Sequence, residues 1–139
     1  MLLLRQIIMF EDITKKLKQI EKYQRIAVST VFAQHYTRIF VDGKAADGSK
    51  IGSYVAGPYK ELRAKKGKET SFVDLSFTNA MRKDYKPTKS GTVAIGFSNT
   101  TEAAKADFNE ERYGKIIFAL SDKEADLYMK TLDELIFGK

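Results

Sequence analysis

The chain has 139 residues, of which 43% are hydrophobic and 30% charged, and its formal net charge is +6. These values fit one globular domain with a real core and exclude a disordered chain. The absence of cysteine, with His35 as the one histidine, excludes a disulfide scaffold and a thiolate zinc site, so neither a metal nor a cofactor is expected. The positive charge is moderate, because 18 acidic residues stand among 24 basic ones.

The first ten residues, MLLLRQIIMF, form an apolar run broken by Arg5 and Gln6. The run is too short to span a bilayer. It lacks both a basic lead and a small-residue cleavage site, so it does not read as a signal peptide. Two readings remain: a strand or helical turn folded onto its own core, and an arm packing on a neighbouring subunit. The candidate subunit contacts are Leu2, Leu3, Leu4, Ile7, Ile8 and Phe10.

From Glu11 to about Phe40, Ile13, Leu17, Ile20, Gln24, Ala27 or Val28, Val31, His35 and Ile39 recur at steps of three and four. That spacing predicts one helix, roughly 28 residues and about 42 Å long. A helix of that length in a small domain must wrap a sheet or extend into a partner. Gly43 is placed to terminate it.

A glycine- and lysine-rich stretch follows, 43–70, expected as a long loop with one helical turn at Tyr59–Arg63. Lys60, Arg63, Lys65, Lys66 and Lys68 cluster there, with Tyr54 and Tyr59 nearby. Lysines release counterions from phosphate and tyrosines stack on bases, so this cluster is the candidate docking or DNA-contacting loop. The competing reading is a solvated loop.

Residues Ser71–Arg82 are expected as a short helix burying Phe72, Leu75 and Met81. Lys83–Pro87 and Gly91–Phe97 are expected as a hairpin turned by Thr88–Gly91, with Val93, Ile95 and Phe97 on one face. Thr100–Tyr113 holds strong helix formers and ends at Gly114. Lys115–Leu120 reads as a strand or extended segment. Ser121 and Glu124 form a capping box that opens a last helix, with Ala125, Leu127 or Tyr128, Leu132, Leu135 and Ile136 along one face. The fold class is therefore α+β: a long N-terminal helix and a C-terminal helix on a small antiparallel sheet, with a long basic loop, all in one domain, 1–139.

No catalytic set presents itself. A nucleophile–histidine–carboxylate triad would need His35, which lies on the apolar face of the first helix, the place of a core histidine. Gly48-Ser49-Lys50 lacks the Gly-Lys-Ser/Thr ending of a phosphate-binding loop. Asp107, Glu110 and Glu111 read as a solvated helix face.

One ordering is more specific. Arg38-Ile39-Phe40 closes the long helix, and Asp47-Gly48, Tyr59-Lys60 and Arg63 follow. Next come Val73-Asp74-Leu75-Ser76-Phe77-Thr78-Asn79-Ala80-Met81 and the strand Val93–Phe97. The order ends with Asn109–Gly114 and Phe118-Ala119-Leu120-Ser121-Asp122-Lys123-Glu124. It resembles the virion-morphogenesis and tail-completion (neck) proteins of tailed bacteriophages, and the likeness covers most of Lys15–Ile136. Two departures stand out. The family's Thr-Gly is Thr78-Asn79 here, and asparagine tolerates the left-handed backbone. The tryptophan often found after Asp-Gly is missing, with Ile51 near its place.

The resemblance implies a non-enzymatic structural virion protein, made in the host cytoplasm and placed at the head–tail junction. It implies a six- or twelve-fold homo-oligomeric ring that joins the portal-side connector to the tail, with DNA passing through without sequence specificity and no membrane partner. The alternative from another class is a small basic nucleic-acid-binding protein using the Lys60–Lys68 cluster.

Overall fold

The first 42 residues contain neither glycine nor proline, so nothing in them interrupts a helix. In the computed structural model, which describes residues 2–76 and 78–138 and side chains from residue 12, helix α1 accordingly runs Leu2–Phe40, 39 residues. It begins earlier than expected, because the apolar N-terminal run continues the helix and forms no separate strand. The side chains of Leu2, Leu3, Leu4, Ile7, Ile8 and Phe10, the predicted subunit contacts, lie outside the described residues. The chain leaves α1 through Gly43 at φ +63°, and the Lys44 N–H turns back to the Arg38 carbonyl at 2.8 Å.

The stretch 43–70 departs from the long loop expected. Lys44 and Lys50 pair as an isolated antiparallel bridge around a turn at Asp47–Gly48, with Ala45 and Ile51 fully buried. Helix α2, Pro58–Lys65, starts with proline at its first position, where the missing N–H costs nothing. It is two turns rather than one.

Residues 71–76 and 78–79 are not helical, and Ala80–Asp84 forms helix α3. Asp74 explains the difference. Its Oδ1 accepts the Ser76 N–H at 3.1 Å and the Arg63 guanidinium at 3.0 Å, offering this backbone a partner other than the helix ladder. Leu75 and Asn79 then take positive φ, +56° and +67°. Asn79 thus occupies the left-handed conformation that its chemistry allows. Phe72 and Leu75 are half-buried and Met81 is buried.

Strands β1 (Tyr85–Pro87) and β2 (Ile95–Phe97) pair antiparallel, with Tyr85 opposite Phe97 and Pro87 opposite Ile95. This two-stranded ribbon is shorter than the expected hairpin. Helix α4, Thr100–Tyr113, is capped by Asn99, whose side chain accepts from the Thr101 N–H, and closes on Gly114 at φ +61°. The segment 115–120 forms no strand, bends at 118–119, and places Ile117 in the core while Ile116 faces out. Helix α5, Asp122–Phe137, opens with the full Ser121–Glu124 capping box.

The main core gathers around the end of α1: Ile39, Phe40, Ala45, Ile51, Val73, Met81, Tyr85 and Ile117. Tyr85 is its hub, with ring centroids 4.8 Å from Phe97, 5.4 Å from Phe118 and 5.7 Å from Phe40. Helix α5 packs on α1, and the architecture is α+β.

Candidate assembly surfaces and the polar clamps behind them

His35, Arg38 and Glu124 are charged or polar residues that the fold buries at 0%, 8% and 1% exposure. His35 and Arg38 share the inner face of α1 because they are one turn apart. Glu124 reaches them because it is the third residue of α5, whose start sits against the last turns of α1. Arg38 Nε donates to Glu124 Oε2 at 2.6 Å, and its other nitrogens reach the carbonyls of Lys44, Ile117 and Ala119. Glu124 Oε1 also accepts the Ser121 N–H of its own capping box. One carboxylate therefore caps its helix and binds another.

His35 Nδ1 lies 2.6 Å from Glu124 Oε1, and Nε2 lies 2.7 Å from the Tyr85 hydroxyl. An ionised carboxylate only accepts, so Nδ1 carries the proton and donates it to Glu124. Nε2 then accepts the Tyr85 O–H. Burial lowers the His35 pKa despite the neighbouring carboxylate, which keeps the ring neutral near pH 7. Burial acts to raise the Glu124 carboxyl, but hydrogen bonds from Arg38, His35 and the Ser121 backbone outweigh it and hold the group down at about 2. Burial pushes the Tyr85 hydroxyl well above its ordinary value.

The order carboxylate, imidazole, hydroxyl is that of an acid–base relay. Here Tyr85 is only 3% exposed and packed among aromatic rings, so the set closes on itself. A groove of about 780 Å³ opens beside it, lined by Arg38, Asp42, Lys44, Asp47, Ser121 and Lys123. The polar atoms of Arg38 and Glu124 at its floor are held by the contacts above. The arrangement serves as a clamp joining α1, α5 and the 115–120 segment.

A second clamp corrects the predicted basic loop. Arg63 is 1% exposed and is not part of a solvent-facing cluster. It pairs with Asp74 at 3.0 Å, donates to the carbonyls of Glu69 and Ser76, and its guanidinium lies 4.4 Å from the Tyr54 ring centroid. Tyr54 is thus engaged by the protein's own cation. Burial raises the Tyr54 hydroxyl to about 12. Of the remaining members, Lys65 and Lys66 are exposed, whereas Lys60 and Lys68 are half-buried. The structure separates the five residues into a buried anchor and lysines around it.

The most open feature lies at the other end of α1. Described residues 12–22 are exposed without exception, so this part of the helix projects past the body. Ile13, Leu17 and Ile20 are 48%, 61% and 37% exposed. They continue the face on which Ala27, Val31 and His35 are buried.

Sequence reasoning identified His35 as a core residue and Glu124 as a cap, but missed their pairing with each other and with Arg38. The only local signal was a basic residue closing α1 in a chain whose α5 opens on an acidic capping residue. Among the described residues no group of three or more histidine or carboxylate side chains could hold a metal ion, and no helix is long and apolar enough to cross a membrane. Compared with protein-family models, with curated proteins and with solved structures, the chain matches none.

Proposed function

We propose that this protein is a structural subunit of the neck of a tailed bacteriophage, forming a homo-oligomeric ring that joins the portal-side connector to the tail around the DNA channel. The observation that carries an assembly role is the projecting part of α1, whose apolar stripe at Ile13, Leu17 and Ile20 stays exposed among the described residues. A free helix with such a stripe is normally covered by a partner. The narrower assignment rests on the ordered resemblance, from Arg38-Ile39-Phe40 to Phe118–Glu124. In a ring, each copy meets the next through two different surfaces, and the array closes when the rotation does.

The measurement is mass in solution across a concentration series, together with negative-stain microscopy. Closed rings support the reading, and a chain that stays monomeric at high concentration sinks it. The exposure of Lys65 and Lys66 favours one other reading, a small nucleic-acid-binding protein. Titration with duplex DNA at two salt concentrations separates the two. Tight, steeply salt-dependent binding lost on substitution of Lys65 and Lys66, by a monomer, favours the second.

A further inference from the structure

The outer face of α5 offers a surface that matches the projecting part of α1. Asp126, Met129, Asp133 and Phe137 follow one another at steps of three, four and four, so they share one side of the helix. All four are exposed, Met129 at 53% and Phe137 at 70%. Ala125, Tyr128, Leu132 and Leu135 lie on the other side and are half-buried. The outward side thus carries apolar and acidic groups, with Lys130 at its edge.

The projecting part of α1 carries apolar groups with lysines beside them. Ile13, Leu17 and Ile20, at steps of four and three, share one side, and Lys16, three residues after Ile13 and four before Ile20, lies at its edge. Lys16 borders the apolar stripe, and the other lysines, Lys15, Lys18 and Lys22, lie around the opposite side. Over the exposed residues 12–22 there are four lysines against Asp12 and Glu21. The exposed charges of α5 are Asp122, Asp126, Asp133 and Glu134 against Lys123 and Lys130. One surface is net positive, the other net negative, and both carry large exposed apolar side chains.

We infer that the projecting part of α1 in one copy packs along the outer face of α5 in the next, with Leu17 against Met129 and Phe137 and Lys16 between Asp126 and Asp133. The proposal rests on the assembly reading above and names the two surfaces that reading leaves open. The occupant is a second copy because both halves of the complementary pair are on this chain. The contact is heterologous, since the two surfaces differ, so it propagates to a ring or filament rather than stopping at a symmetric pair. In each copy α5 lies between its own α1 and its neighbour's.

The absence of cysteine makes a clean test possible with the full-length chain. Leu17→Cys and Met129→Cys are made in separate chains, both at exposed positions. Mixed under mild oxidation they are expected to give a disulfide-linked pair, while neither variant alone does so. A linked dimer from Leu17→Cys alone would mean a symmetric α1–α1 contact and overturn the proposal. In parallel, Lys16→Glu is expected to weaken self-association at least tenfold, and the double variant Asp126→Lys/Asp133→Lys mixed with it to restore assembly. Intact rings with no mixed cross-link and no effect of Lys16→Glu would overturn this contact and leave the ring reading standing. A monomer at every concentration would overturn both.

Discussion

Arg38 Nε donates to Glu124 Oε2 at 2.6 Å, joining the last turn of α1 to the first turn of α5 across 86 residues of sequence. Removing one partner of a buried pair leaves the other charge uncompensated, which costs about 3–5 kcal/mol. Glu124→Ala is therefore expected to lower the unfolding free energy obtained from urea titration by an amount in that range, because it strands Arg38 and removes the α5 cap together. A loss below about 1 kcal/mol would show that the pair is not a principal clamp.

Acid should loosen the same clamp. The folded-state pKa of Glu124 is depressed from 4.5 to about 2, so its contribution is present above pH 4.5 and lost as pH falls through that interval. The shift corresponds to roughly 3 kcal/mol. His35 is lowered from 6.5, so the folded state also resists its protonation and stability declines as pH drops below about 6.5. Chemical denaturation between pH 7.5 and 3 should show a two-stage loss. In His35→Gln the upper stage should flatten, and persistence of that stage would locate its origin elsewhere.

Substitutions in the basic stretch should separate by burial. Arg63→Ala leaves Asp74 without its cation and the Glu69 and Ser76 carbonyls without their donors, for a loss on the order of 3 kcal/mol. Lys65→Ala, on the exposed face of α2, should stay within about 0.5 kcal/mol of wild type. Thermal melts of the two variants settle the ranking, and equal losses would contradict the division of roles.

Two glycines should respond unequally to alanine. At Gly43 the backbone sits at φ +63° and an added Cβ would run into the Val73 carbonyl and the Phe72 ring. Gly43→Ala should cost more than about 2 kcal/mol, since neither backbone can move without disturbing the end of α1. At Gly91, φ +72°, the added Cβ meets nothing, and the cost should be about 1 kcal/mol from the left-handed backbone alone. Similar midpoints for the two variants would show that the close approach at Gly43 relaxes.

Elements governed by contacts within one helical turn could be read from the chain. The three-and-four spacing from Ile13 to Ile39, the Ser121–Glu124 capping box and Gly114 after α4 are local signals, and each stands where its chemistry requires. The position of His35 on the inner face of α1 follows from the same periodicity. Residues 71–76 and 78–79 show where such signals fail. Apolar spacing suggests a helix there, but Asp74 binds Arg63 and the Ser76 N–H instead, and neither competitor can be seen from composition.

By itself the sequence determined the class of fold, the long helix and the caps, because each depends on residues a turn apart. Only the tertiary structure decided which charges are buried together and which apolar stripe stays uncovered. Arg38 and Glu124 each resemble an ordinary surface residue until the fold removes both from water, and then each is held by the other. Ile13, Leu17 and Ile20 follow the same period as Ala27 and Val31, yet they remain exposed because the body of the protein ends before it reaches them. Periodicity specifies a face, and the extent of the neighbouring elements specifies how much of that face is left for another molecule.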